Sequence, residues 1–251
     1  MELRRWTAYY LKRKNAHGLH SPFVFDWYQA CVLKKNADAR LLRIEQTRKA
    51  FSRLKDRFVK QDFGMGESGR TMDVKQLLNH SLGKVYGNIL WNTVAYMQYR
   101  VVLELGTCLG IGSCYLTGGN AHVHTLEGCA ETMERAGKFV VQAGFSDIHF
   151  KKGEFSLTLP GVLSELNKID MVFFDGNHRG DATLAYYQMI RPYLNACGTL
   201  VFDDIRWSED MWQAWRKICD LEKNRYAVDL GRIGMIFLQT RNHPQYFFLK
   251  P

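Results

Sequence analysis

No run of eighteen apolar residues occurs in this 251-residue chain, so a membrane-spanning helix is not expected. The first residues, Met1 to Trp6, lack the apolar core and cleavage site of a secretory signal. The six cysteines (Cys31, Cys108, Cys114, Cys129, Cys197 and Cys219) form no C-x-x-C pair. Their scatter argues against zinc or a disulfide framework and leads us to expect a reducing, cytoplasmic setting. No G-x-x-x-x-G-K-[ST] phosphate loop is present, which removes the usual nucleoside-triphosphate cradle. No Asn/Asp-Pro-Pro-Tyr/Phe stretch occurs either, which counts against methylation of exocyclic base amines.

Acidic residues are scarce in one part only. Residues 1–60 hold 15 Lys/Arg against 5 Asp/Glu, and the remaining residues hold 19 against 20. The formal charge of +9 therefore belongs to the N-terminal quarter. There, Leu33, Leu41, Leu42, Ile44, Phe51, Leu54 and Phe58 recur at roughly helical spacing between basic residues. Ser21-Pro22 predicts a helix start, with Ser as cap and Pro at the first position. Solvated helix faces account for such charge, and attraction to nucleic acid, anionic lipid or an acidic substrate is the sharper alternative. His17 and His20 stand three apart and read as surface or structural histidines, with metal ligation or cleft contact as the alternative. Gln61 to Arg70, rich in glycine, predicts a loop that ends this basic helical cap or acts as a lid. We expect a cap over residues 1–70 and a second unit over 71–251.

The second unit alternates strands and helices. Helices are expected over Asp73–Leu82 and Tyr86–Met97, followed by a buried strand Val101–Leu105. Further strands are expected at Val123–Leu126, Ile148–Phe150, Met171–Phe174 and Gly198–Phe202, with helices at Glu131–Ala143, Val162–Leu166, Ala182–Leu194 and Met211–Glu222. A hairpin of Tyr226–Leu230 and Gly234–Leu238 closes the pattern around Gly231-Arg232-Ile233. Such alternation predicts an α/β, Rossmann-like, doubly wound parallel sheet.

The most informative segment is Val101 to Ser113. Its order is E-x-G-x-x-x-G-x-G, through Glu104, Gly106, Gly110 and Gly112, and this is not the dinucleotide G-x-G-x-x-G. No lysine meets a phosphate in the turn, so a cofactor without phosphates suits it. About twenty residues on, Glu127 ends a second strand where doubly wound folds place a ribose-binding carboxylate. Asp175 ends the fourth expected strand, and Asp203 and Asp204 end the fifth. Strand carboxyl ends line the crevice of an open sheet, so these acids are expected on one rim. Carboxylates that close repel, and a hard divalent ion such as Mg²⁺ or Ca²⁺ would relieve them. Asp203 and Asp204 are consecutive, so both reach the cleft only if the chain leaves the strand there. His178 carries an imidazole, which titrates near ~6.5 in water and suits removal of a hydroxyl proton.

The glycine loop and the two flanking acids resemble class I S-adenosylmethionine-dependent methyltransferases, over about residues 84–240. The resemblance narrows to the catechol and caffeoyl-coenzyme-A O-methyltransferase branch, including methyltransferase family 24. It implies a seven-stranded sheet with a C-terminal antiparallel hairpin. It also implies S-adenosylmethionine as cofactor, with Glu104, Gly106 and Gly110 at its methionine part and Glu127 at the ribose. Glu154 and Phe155 would meet the adenine, Thr107, Ser113 and Gly128 join the cofactor set, and Asp175 would belong to both cofactor and catalytic sets. Its metal ligands fall on Asp175, Asp203 and Asp204, the last replacing the branch's Asn and adding a negative charge. Its catalytic lysine position holds His178. Trp207 is a candidate wall of the acceptor pocket. The implied reaction is methyl transfer to a small-molecule hydroxyl acceptor, aided by a divalent ion if one is bound. A nucleic-acid methyltransferase and a non-catalytic S-adenosylmethionine-binding module are the alternatives, and the basic cap is a candidate surface for a homodimer.

Overall fold

A computed structural model describes residues 2–60, 69–239 and 244–251. The chain runs α1 (Glu2–Lys12), α2 (Pro22–Trp27), α3 (Ala39–Phe51), β1 (Arg57–Lys60), β2 (Arg70–Asp73), α4 (Val74–His80), α5 (Lys84–Tyr96) and β3 (Val101–Leu105). It continues with α6 (Ile111–Leu116), β4 (His122–Glu127), α7 (Ala130–Gln142), β5 (Ile148–Lys152), α8 (Phe155–Leu166) and β6 (Ile169–Phe174). The last elements are α9 (Gly180–Ile190), β7 (Leu194–Phe202), α10 (Glu209–Leu221), β8 (Tyr226–Asp229), β9 (Gly234–Phe237) and β10 (Gln245–Phe248). Local chemistry sets several boundaries. Asp73 caps α4 through the Gln76 N–H while the Gln76 side chain accepts from the Asp73 N–H, a reciprocal capping box. Ser208 caps α10 in the same way through the Met211 N–H.

The large sheet has the order β10-β8-β9-β7-β6-β3-β4-β5. It holds eight strands, one more than the seven expected. The extra strand, β10, lies parallel to β8 at the sheet edge. β9 runs antiparallel to both β7 and β8 and sits between them. The expected hairpin is therefore present, with its second strand inserted against β7. The order reverses between β3 and β6, the switch point at which open α/β sheets form their crevice.

Alternation along the strands divides the interior into two layers. Val102, Val123, Met171, Phe173, Val201 and Phe237 join one buried cluster, and Leu103, Leu126, Val172, Phe174, Leu200 and Ile236 join the other. The first cluster also contains Val24, Trp27, Tyr28, Leu41, Ile44 and Phe51 from the N-terminal helices. Trp27 is fully buried there and donates its indole N–H to Thr93 at 3.0 Å. The N-terminal segment departs from a purely helical reading. Residues 57–60 form β1, which pairs antiparallel with β2 in a separate two-stranded sheet. The glycine-rich segment expected to be a loop or lid lies, over residues 61–68, outside the described residues. The helix near Val162 starts earlier than expected, at Phe155, and carries Pro160 inside it. Burial of Leu159, Val162 and Leu163 holds that helix despite the missing donor. No helix among the described residues is long and apolar enough to cross a membrane.

Asp229 ties the C-terminal strands to the first helix. It accepts from Arg206 Nη1 at 2.8 Å and Nη2 at 2.6 Å, from the Gly231 N–H at 2.9 Å and from Tyr246 Oη at 3.0 Å. Arg206 is buried, with its guanidinium over the rings of Trp6, Tyr9 and Trp212. Removing the carboxylate strands a buried cation, which typically costs about 3–5 kcal/mol. Asp229→Ala is expected to lose stability in that range in urea denaturation, and a loss under 1 kcal/mol would show that water solvates Arg206 readily.

Candidate active site

Backbone hydrogen bonds beyond the strand ends align the candidate residues. The Gly106 N–H donates to Leu126 O at 3.0 Å, the Asp175 N–H to Leu105 O at 2.9 Å and the Asp203 N–H to Phe174 O at 2.9 Å. The parallel ladder thus continues one step past each strand, bringing Gly106, Asp175 and Asp203 side by side across β3, β6 and β7. Gly106 has φ +106°, and a Cβ there would lie 2.5 Å from Asp175 O. Only glycine permits this approach of the two loops. Three non-glycine residues just past these strands also adopt the left-handed region: Cys108 (φ 49°), Asn177 (φ 51°) and Asp204 (φ 50°). Such conformations concentrate where a site dictates the backbone.

Glu104 stands beneath the loop and not in its wall. It is fully buried, and its Oε2 accepts from Ser113 Oγ and, at 2.7 Å, from Thr125 Oγ1. Thr107 shares a hydroxyl contact with Thr125 at 2.6 Å. Oε1 of Glu104 has no hydrogen-bond partner and faces Gly112, where a Cβ would come within 2.6 Å of it. Glu104 supports the loop through Ser113 and Thr125. Ser113 is likewise fully buried and Thr107 nearly so, because both face the supporting layer. Gly110 caps α6 in a left-handed conformation, so that helix begins at Ile111.

Glu127 is half-buried at the end of β4. Its two oxygens accept from the Cys108 N–H at 3.1 Å and the Cys129 N–H at 3.0 Å, bracketing the cleft between the first two βα turns. Gly128 forms the turn that follows. Phe155 opens α8 and packs against Gly176, where a Cβ would lie 2.9 Å from its ring. It also meets Tyr186 edge-on at 5.8 Å. Glu154, by contrast, is exposed and accepts from Ser156.

The acids on the other side of the switch point are not bare. Arg232, in the turn between β8 and β9, donates from both Nε (2.7 Å) and Nη2 to the carboxylate of Asp203, and its Nε lies 3.2 Å from Asp204 Oδ1. Asp203 is fully buried and Asp204 is half-exposed. The chain leaves the strand at Phe202 and turns left-handed at Asp204, so the two consecutive acids reach the same cation. Burial, followed by the adjacent Asp203 carboxylate, raises Asp175 well above the usual carboxylate range. Burial and Asp203 also raise Asp204, against the charges of Arg232, His178 and His80. His178 is half-buried, with its ring 6.3 Å from that of Trp207, which is 55% exposed. His20 is exposed and lines a recess of about 340 Å³ with Lys12 and Lys14, and the His17 side chain lies outside the described residues.

Arg232 is the residue that sequence reasoning missed. The available signal was a lone arginine in a hairpin turn, opposite a strand ending in two acids. It becomes compelling only once β9 is known to pair with β7, since the register Phe202↔Gly234 carries Arg232 past the strand end to Asp203.

Burial raises Glu104 to about 8, against the lowering effect of its hydroxyl donors. Unfolded, the same group titrates near its ordinary 4.5, so between these values the folded chain binds more protons. The contribution of Glu104 to stability is then fully present below 4.5 and is lost as pH rises toward 8. Glu104→Gln is expected to gain melting temperature relative to the unaltered protein as pH is raised from 5 to 8. Parallel profiles would mean that the carboxyl ionises as it does in water.

The methyltransferase-domain family model matches residues 103–205. An uncharacterised protein, R132, of Acanthamoeba polyphaga mimivirus is 31% identical over 84 residues, 32% of this chain, and the match spans only 38% of that protein's length. Among solved structures, the S-adenosylhomocysteine-bound methyltransferase PaMTH1 of Podospora anserina aligns with TM-score 0.58 at 15% identity, covering 89% of this chain and 97% of that one. The Bacillus cereus O-methyltransferase in complex with S-adenosylhomocysteine aligns at 0.55 and 18%, covering 85% and 97%. The Streptomyces achromogenes O-methyltransferase TomG, in complex with S-adenosylmethionine, aligns at 0.55 and 18%, covering 95% and 99%. Residues 103–205 are thus similar to a methyltransferase domain, and the chain shares the fold of these methyltransferase structures.

Proposed function

We propose that this protein transfers a methyl group from S-adenosylmethionine to the hydroxyl oxygen of a small-molecule acceptor. The observation that carries the reading is the join between the phosphate-free glycine loop and the acid rim, where Gly106 backs directly on Asp175. The chain's own groups fit the cofactor in chemistry. Glu127 brackets the cleft with a carboxylate suited to ribose hydroxyls, and Phe155 offers a flat apolar face for adenine. Glu104, Ser113, Thr107 and Thr125 form the hydroxyl–carboxyl layer that holds the loop in shape. Residues 71–251 form the cofactor-binding body in this reading, and residues 1–70 form a basic cover that helps to select the acceptor.

When bound, S-adenosylmethionine supplies a methyl group already activated on a sulfonium. The protein's task is then alignment and proton removal. Asp175, at the switch point, borders both the cofactor loop and the acceptor side. An acceptor oxygen forms its bond to the methyl carbon as the carbon–sulfur bond breaks, and an imidazole nitrogen of His178 takes the hydroxyl proton. Trp207, exposed beside His178, walls the acceptor pocket. Nucleic acid is the less favoured acceptor, because Arg5, Arg40 and Arg48 of the basic segment already pair with Glu209, Asp38 and Glu45.

Calorimetry with S-adenosylmethionine and S-adenosylhomocysteine tests the cofactor assignment, and binding of neither would end it. Glu127→Gln is expected to weaken binding by about 10- to 100-fold, the value of one or two hydrogen bonds to a charged group, with melting temperature checked in parallel. His178→Gln is expected to lower kcat by roughly 10²- to 10⁴-fold while leaving cofactor affinity unchanged. Equal loss of both would assign His178 a packing role. A screen of hydroxyl acceptors with labelled methyl donor identifies the substrate, with single-stranded RNA at varied salt as the contrasting arm.

A further inference from the structure

The branch resemblance calls for a divalent ion on Asp175, Asp203 and Asp204, and the donor set does not fit one. Both oxygens of Asp203 are taken by the Arg232 guanidinium, whose Nε also faces Asp204. Oδ1 of Asp203 also accepts from the Asp204 N–H at 2.9 Å, so a divalent ion, which binds carboxylate oxygens at about 2.0–2.6 Å, would have to share oxygens that are already engaged. Like charges also exclude the ion from the guanidinium's side. Among the described residues, no group of three or more His, Cys, Asp or Glu side chains is disposed to hold a metal.

Arg232 cannot easily withdraw. Its carbonyl accepts from the Ile205 N–H at 3.1 Å, its turn is closed by the Leu230 N–H on Ile233 O at 2.9 Å, and Leu230 O accepts from Tyr86 Oη at 3.0 Å. The hairpin strands beneath it pair over four residues, Tyr226↔Phe237 to Asp229↔Gly234. The turn that carries Arg232 is thus held by the Ile205 N–H beyond β7, by its own closing hydrogen bond and by the Tyr86 hydroxyl of α5. Its guanidinium is planar and forked, which matches a carboxylate in two-point contact.

We infer that Arg232 is a built-in cation standing where related enzymes would use a divalent ion, so that this protein's acceptor site works without metal. The inference rests on the methyltransferase reading above. Arg232 acts as a positioning residue, because it holds Asp203 and Asp204 in place and offsets their charge. A substrate consequence follows. A divalent ion favours acceptors that chelate through two neighbouring oxygens, whereas a guanidinium committed to carboxylates imposes no chelate, so acceptors with a single hydroxyl are admitted.

Mn²⁺ binding to the full chain, read by electron paramagnetic resonance without methyl donor, tests this directly. The unaltered protein is expected to leave submillimolar Mn²⁺ free. Arg232→Ala and the bulkier Arg232→Gln remove the cation from Asp203 and Asp204. Either one, shown folded by circular dichroism, is expected to bind Mn²⁺ at least about tenfold more tightly, and adding Asp203→Asn should abolish that gain. Stoichiometric Mn²⁺ binding by the unaltered protein that Asp203→Asn removes would overturn the inference, as would folded Arg232 variants that leave Mn²⁺ free. S-adenosylhomocysteine calorimetry with and without chelator runs alongside. Absence of that binding rejects the cofactor reading, whereas binding that requires metal rejects only the role given to Arg232.

Discussion

Repulsion among acids is the constraint that organises this molecule. Four neighbouring parallel strands bring Glu104, Glu127, Asp175, Asp203 and Asp204 to one rim of the sheet. Each is answered by different physical means. Glu104 is buried on two hydroxyl donors and held toward its neutral form. Glu127 takes backbone N–H groups from two turns. Asp203 and Asp204 share Arg232, and Asp175 is held toward its protonated form by burial beside Asp203. The charge of the rim is thus offset in part by groups of the chain itself.

These answers divide the cleft in two. On the β3–β4 side, hydroxyls and backbone amides hold Glu104 and Glu127 around the glycine loop. On the β6–β7 side, a guanidinium, two imidazoles and an exposed indole surround the acids. Gly106 joins the halves, because its missing Cβ is what lets the β3 turn rest on the Asp175 backbone. The antiparallel insertion of β9 serves the same site from outside the parallel core, since it delivers Arg232 to the end of β7.

Most of the sheet is legible in the sequence, because a strand buried on both faces reads as an apolar β-branched run regardless of its neighbours. Val101–Leu105 is expected and observed with the same limits. The hairpin and the acid-bearing strand ends follow from the same reasoning. Three features escape it. β1 and β10 are edge strands of four residues, and their pairing is decided by partners distant in the chain. α8 starts early because buried Leu159, Val162 and Leu163 outweigh the cost of Pro160. Glu104 faces inward because Gly112, eight residues on, leaves space for its carboxylate.

The sequence by itself determined the layer architecture, the crevice, and which acids stand at its edge, since these depend on hydrophobic periodicity and on residues at strand ends. It also narrowed the cofactor class, through glycine spacing and a missing lysine. Tertiary structure alone decided how those acids are neutralised. Arg232 lies 29 residues from Asp203 along the chain yet donates to it directly. No local pattern encodes that pairing, because it arises from strand register across a sheet whose order differs from the order of the chain.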